Sequence, residues 1–260
     1  MRAKTAYLLA DSCHNSLQSN WLVKNMDIVW LGHSAFRIQG EDFMILVDPF
    51  LRGNPSFPEA HFDTAIKGTT HIALTHGHLD HVGDTVEIAE KTGCKVICNF
   101  DLGEFLSNQG VQNLDVGNTG GTLPQGSFSV TFVDAKHSAA LPLEPDTGRA
   151  AVGSANGLVF HFSSGQCVLH MGDTDIFTDM ALINELHRPK IGIVPIGDRF
   201  TMGPAVAALS CRRFFDFDTV IPCHYGSFDV LEQTADGFLK AMEDQSDRVH
   251  VPKVGEVLTI

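Results

Sequence analysis

His76-Gly77-His78-Leu79-Asp80-His81 decides how this chain is read. The hexapeptide follows directly on a short strand-like run, residues 71–75. On an extended loop, residues i and i+2 point the same way, so His76 and His78 can share one metal ion. Asp80 and His81 then turn into the following helix and can reach a second ion nearby. Gly77 has no Cβ, which permits the tight approach. Imidazole and carboxylate donors of this kind suit Zn²⁺, and also Mn²⁺ or Fe²⁺. Without a ligand, three histidines and an aspartate in six residues would crowd their polar groups into one desolvated place. A solvated polar loop is the bland alternative.

The same placement recurs further along. The apolar run 130–133 is followed by His137, 167–171 by Asp173, 191–196 by Asp198, and 220–222 by His224. Five strands thus deliver a His or Asp at or just past their C-terminal ends, the edge where layered α/β folds form ligand sites. Upstream, 27–31 and 35–39 alternate and 43–47 is apolar up to Asp48-Pro49, which reads as a strand meander. Residues 49–60 are Pro-rich and expected to form a loop. Helices are expected over 85–91 with Gly93 at its C-terminal end, 101–108, 178–186, 204–215 with Pro in its first turn, and largely over 228–242. Further strands are expected at 95–99, 127–133, 158–163 and 167–171, the last two joined by a hairpin turn at Ser164-Gly165. The pattern predicts an α/β sandwich with helices outside two sheets. Residues 1–25 are polar and aperiodic and read as an N-terminal extension to a single domain over 26–260.

Composition narrows the function classes. The chain has 260 residues, 18 Lys+Arg against 31 Asp+Glu, a net charge of −13 and 13 histidines. A hydrophobic share of 43% with 19% charged residues is globular, which excludes wholesale disorder. No apolar run approaches the roughly 18 to 20 residues that span a bilayer, so no membrane association is expected. The acidic balance, with no Lys/Arg block, argues against nucleic acid. Cys13, Cys94, Cys98, Cys167, Cys211 and Cys223 are scattered with no C-x-x-C pair, which implies reduced thiols and a cytoplasmic setting. The apolar stretch near the N-terminus is broken by Asp11 and is too short for a signal peptide.

The hexapeptide, with the downstream His, Asp and His, resembles the metallo-β-lactamase superfamily. Trp30-Leu31-Gly32-His33-Ser34-Ala35, Val47-Asp48-Pro49-Phe50, Gly172-Asp173-Thr174, Pro195-Ile196-Gly197-Asp198 and Ile221-Pro222-Cys223-His224-Tyr225 narrow the resemblance to the UPF0173 group of metal-dependent hydrolases. L-ascorbate-6-phosphate lactonases are more distantly similar. The resemblance covers about 26–260 and implies a four-layer αβ/βα sandwich, two mixed β-sheets flanked by helices, with a dinuclear metal site on one edge. Carried over by position, it implies that His76, His78 and His137 hold one ion and that Asp80, His81 and His224 hold the other. Asp173 would bridge them. Two divalent ions about 3.5–4 Å apart, zinc foremost with manganese or iron also suited, could share a hydroxide and polarise an electrophile. Asp80 could also carry a proton to the leaving group.

Four further residues are candidates around that site. Asp48 is expected to orient ligand histidines. His33 is open between a pocket role and a structural hydrogen bond. Asp198 leans towards the substrate pocket over capping the next helix, and Tyr225 is open between donating to substrate and packing. His170, inside an apolar run, reads as a satisfied core histidine or a neighbour of the ligands. The leading function is hydrolysis of a small, anionic ester, lactone or phosphoester by a small-molecule enzyme whose oligomeric state, homo-oligomer included, stays open. Rival readings are diiron redox chemistry and metal-dependent ligand binding without turnover. The diiron relatives usually carry Glu where this chain has His78, and they add a flavin domain. Serine catalysis lacks its G-x-S-x-G elbow.

Overall fold

The structure is a computed structural model that describes residues 26–142 and 148–260. The expected extension over 1–25 lies outside the described residues. In chain order the strands are β1 (Asp27–Trp30), β2 (Phe36–Gln39), β3 (Met44–Val47), β4 (His71–Ala73), β5 (Lys95–Asn99), β6 (Leu114–Gly117), β7 (Thr122–Pro124), β8 (Phe128–Asp134), β9 (Ala140–Pro142), β10 (Arg149–Ala151), β11 (Asn156–Phe162), β12 (Cys167–His170), β13 (Ile191–Pro195), β14 (Thr219–Cys223) and β15 (Val257–Thr259). The helices are α1 (Phe62–Ile66), α2 (Leu79–Val82), α3 (Thr85–Thr92), α4 (Phe100–Asn108), α5 (Met180–His187), α6 (Pro204–Phe214) and α7 (Asp236–Ala241).

Two mixed sheets result. One runs β15-β1-β2-β3-β4-β5-β6, antiparallel at its start and parallel from β3 onward. The other runs β14-β13-β12-β11-β8-β7, antiparallel from β7 to β12 and parallel from β12 to β14. A separate hairpin joins β9 to β10.

Period-two alternation explains the layering. Ile45 and Val47 of β3, Ala73 of β4 and Ile97 of β5 pack between the sheets against Val130, Phe132, Leu158 and Phe160. Their sequence neighbours Leu46, Ile72, Val96 and Cys98 turn outward and meet Phe62, Ile66, Ile88, Leu102 and Leu106 of α1, α3 and α4. With both faces covered, these strands read as continuous apolar runs. On the far side, Met180, Ile183, Ala207, Ala208 and Phe238 of α5, α6 and α7 join the second sheet's core. The layers are therefore helix, sheet, sheet, helix, as expected.

The expected elements hold with three differences. The 49–60 segment ends in a 3-10 turn, Glu59–His61, that leads into α1. The expected helix over 228–242 is helical only over Asp236–Ala241. Its first half is held instead as a turn, where Gly226 N–H donates to the Glu232 carbonyl (2.8 Å) and Glu232 N–H to the Gly197 carbonyl (3.0 Å). The short strands β6, β7, β9, β10 and β15 are not expected, because they are mostly half-buried or exposed and lack the apolar run or alternation that marks β1, β3 and β12. The five described cysteines are buried and free, and burial pushes the Cys98 and Cys211 thiols up to about 12. Among the described residues no helix is long and apolar enough to cross a membrane.

Candidate metal centre

The site residues come from connections that leave strands of both sheets. The segment after β4 carries His76 and His78, and α2 then opens with Asp80 and His81 in its single turn. His137 follows β8, Asp173 follows β12 and His224 follows β14. All seven meet at the floor of one cavity of about 320 Å³, or directly beneath it. That volume sits at the low end of the range for small-molecule sites.

Three nitrogens converge on one point. His76 Nε2 lies 2.9 Å from His78 Nδ1, which lies 3.2 Å from His137 Nε2. Two nitrogens bound to one zinc at about 2.0–2.1 Å and a tetrahedral angle would stand about 3.3 Å apart. Three neutral imidazoles aimed at each other leave lone pairs facing lone pairs, whereas a cation satisfies all three. A second set gathers His33, Asp80, His81 and His224, and a third joins His76 and His81 to Asp173. Asp173 Oδ2 stands between the sets, 3.0 Å from His224 Nε2, 3.3 Å from His81 Nε2 and 3.6 Å from His137 Nε2.

The donor chemistry fits divalent metal. His81 Nε2, His224 Nε2 and Asp173 Oδ1 are buried yet make no hydrogen bond of acceptable geometry. Buried polar groups are nearly always satisfied, so a cluster of orphans at one point indicates a missing partner. Burial holds His76 well below the ordinary histidine range and also lowers His78 and His137, which keeps their nitrogens free of protons as metal donors require. His81 behaves oppositely. Burial disfavours its charge, but the Asp173 and Asp48 carboxylates on either side hold it well above that range. Asp173 is held well below the carboxylate range by His224 and His81, against its own burial. Asp80 is lowered in the same way by His33 and His81.

Asp48 supports this cluster from below. It is fully buried, and its Oδ2 accepts from His81 Nδ1–H (2.8 Å) and from the Thr75 hydroxyl (2.6 Å), while Oδ1 accepts from Thr75 N–H (2.8 Å). Having given its own proton to Asp48, the Thr75 oxygen can accept from His76 Nδ1–H (3.0 Å). One carboxylate therefore sets the tautomer of two site histidines, directly for His81 and through Thr75 for His76. Sequence reasoning singled out Asp48 but not Thr75, whose relay is visible only once both neighbours are placed. Asp48→Asn would put an amide donor against one of these three donors. We expect metal affinity to fall about 10- to 100-fold, measured by competition with a chromogenic chelator. Unchanged affinity would remove Asp48 from this role.

The remaining candidates are placed as follows. His33 is fully buried and burial, with His224 close by, pushes it down to about 4. Its Nε2 lies 3.2 Å from Asp80 Oδ2 and its Nδ1 2.7 Å from Ser227 Oγ, so it joins the donor cluster itself. Its carbonyl accepts from Trp30 Nε1 (2.8 Å) and from His224 N–H (3.0 Å), which ties two distant motifs together. Tyr225 stacks on Trp30 at 5.1 Å and does not line the cavity. Asp198 sits on an exposed turn, also off the cavity lining, and its N–H donates to the Met202 carbonyl (3.1 Å). His170 is a satisfied core histidine: its Nδ1 accepts from Gly172 N–H (3.1 Å) and its Nε2 lies 3.2 Å from the Ser34 carbonyl. His33, Asp48 and His224 all have positive φ, of 52°, 46° and 59°. Such backbone is disfavoured for residues with a Cβ and concentrates where function demands it.

A family model described as a beta-lactamase superfamily domain matches residues 27–224. A UPF0173 metal-dependent hydrolase of Agrobacterium fabrum is 57% identical over 234 residues, covering 90% of this chain and all of the relative. The chain belongs to the UPF0173 metal-dependent hydrolases. A second UPF0173 hydrolase, from Brucella anthropi, is 59% identical over 222 residues, 85% of this chain and 94% of that one. Among solved structures, a metallo hydrolase of the archaeon Ignicoccus hospitalis superposes with a TM-score of 0.79 at 28% identity, covering 91% of this chain and 98% of its own. The UPF0173 fold is thus the metallo-β-lactamase sandwich, with the site on one edge.

Proposed function

We propose that this UPF0173 hydrolase uses two divalent ions, zinc or otherwise manganese or iron, to hydrolyse a small, anionic ester, lactone or phosphoester. The observation that carries the reading is the pair of donor sets that share the Asp173 carboxylate beneath one small cavity. His76, His78 and His137 would hold the first ion, and Asp80, His81 and His224 the second, with Asp173 between them. Bound there, the ions would supply Lewis acidity and lower the pKa of water towards neutrality.

The protein's own groups do the rest. Asp48 and Thr75 fix which nitrogen of His81 and His76 faces the cavity. His33 steadies Asp80 through Oδ2, and Oδ1 has no partner among the described residues. Asp80 lines the cavity, so that free oxygen can pass a proton to a leaving group. Leu79, Pro142 and Phe200 give the cavity an apolar wall against which an apolar part of a substrate can lie.

Elemental analysis of purified protein tests the metal assignment. Wild type should carry two ions per chain and His137→Ala about one, whereas wild type without bound metal would sink the reading. Panels of bis-aryl phosphates, lactones and thioesters then test the reaction. No turnover of any panel by fully loaded protein would favour ligand binding without catalysis.

A further inference from the structure

The cavity floor is built to hold cations, but one wall carries a cation of the protein's own. Arg149 of β10 lines the cavity, and the lining holds no second Lys or Arg. Its position is determined by the hairpin beneath it. Arg149 pairs with Pro142 across the β9–β10 ladder, and Ala150 pairs with Leu141. Leu141 and the adjacent Val152 are buried in the helix-side core. Val152 also packs so closely on Gly77 that a Cβ there would lie 2.0 Å from its Cγ2. The loop that carries His76 and His78 therefore props the hairpin, and the hairpin presents Arg149 over the same cavity.

No carboxylate among the described residues pairs with Arg149. The two carboxylates on the lining, Asp80 and Asp173, are engaged with histidines at the floor. An unpaired guanidinium presents a fork of N–H donors matched to a carboxylate or phosphate. Around it, Phe200 and Leu79 expose large apolar side chains, and Ala140 and Pro142 complete that wall. Exposed apolar residues gathered on a cavity mark a ligand surface, and they strengthen a nearby charge by lowering the local dielectric.

We propose that Arg149 selects the substrate by gripping an oxyanion set apart from the bond that is cleaved, with a short apolar spacer lying against Phe200 and Leu79. Resting on the hydrolase reading above, this narrows the substrate class. The molecule carries its anionic group, a carboxylate or phosphate, at the end remote from the ester or lactone.

Two measurements test it independently. Metal-free protein is titrated with phenylbutyrate, phenyl phosphate and the neutral phenylbutanol, followed by ligand-observed NMR. Wild type should bind the anions more tightly than the alcohol, and Arg149→Gln should lose that preference while Arg149→Lys keeps part of it. Whichever anion binds more tightly distinguishes carboxylate from phosphate. In the second measurement, metal-loaded protein is assayed on the para-nitrophenyl monoester of glutaric acid and on para-nitrophenyl butyrate. The ratio of kcat/KM, charged over neutral ester, should fall on the order of 10- to 100-fold in Arg149→Gln, the worth of charge-assisted hydrogen bonds. An equal ratio in the variant, or no preference for anions in metal-free wild type, would overturn the proposal. Failure of wild type to cleave either ester would count against the hydrolase reading alone, because the binding titration decides the role of Arg149 without it.

Discussion

Replacing Asp173 by Asn is expected to lower turnover by about three orders of magnitude or more. The reason lies in where one oxygen sits. Oδ2 faces His81, His137 and His224 at 3.3, 3.6 and 3.0 Å, so a single carboxylate serves both donor sets. An amide keeps the volume and loses the charge, and on the proposed ligand set both ions lose their shared anion. A thousandfold loss corresponds to about 4 kcal/mol, within what electrostatic stabilisation at such centres supplies. Bound metal, read by elemental analysis, should fall with activity. Stability of the metal-free protein should fall too, because His81 is buried and held charged by Asp173 and Asp48 together. Removing one partner of a buried pair typically costs about 3–5 kcal/mol. A variant that keeps its metal and its turnover would show that Asp173 only packs between the rings.

The hexapeptide was legible because its chemistry is local. Spacing alone puts His76 and His78 on one side of an extended segment, and α2 then brings Asp80 and His81 round. His137, Asp173 and His224 were legible for a different reason. Each follows closely on an apolar run, and parallel or mixed sheets collect such ends on one edge. Arg149 gave no such signal. It lies in a three-residue strand whose partner ends in Pro142, and only the packing of Leu141 and Val152 brings it over the site. Thr75 was hidden because its role needs two neighbours, Asp48 and His76, that come from separate strands. Residues 228–242 misled for a related reason. Their helical pattern is real from Asp236 on, but the hydrogen bonds of Gly226 and Glu232 capture the first half against the end of β13. Tertiary bonds outweighed local propensity there.

The second large effect is expected at a residue with no side chain. Gly197 follows β13, and a Cβ built on it would stand 2.1 Å from the His224 carbonyl oxygen and 2.8 Å from His224 Nδ1. The first contact is with backbone, so no rotamer change relieves it. His224 cannot yield freely either, since its N–H donates to the His33 carbonyl (3.0 Å) and its φ is already 59°. Gly197 is tethered as well, because its carbonyl accepts from Glu232 N–H at 3.0 Å. Gly197→Ala must therefore shift His224 relative to Asp173. A displacement of about 1 Å at such a centre can cost about 100-fold in rate. We expect kcat/KM to fall by that factor or more and bound metal to drop towards one ion per chain. Overpacking should also cost about 1–3 kcal/mol in thermal unfolding of the metal-free protein. The metal readout separates the two consequences. A variant that melts earlier but binds both ions at wild-type affinity would mean that β13 and β14 absorb the methyl group elsewhere. A full loss at the His224 side, with His76, His78 and His137 still loaded, would tie the second ion to the close approach of these two strands.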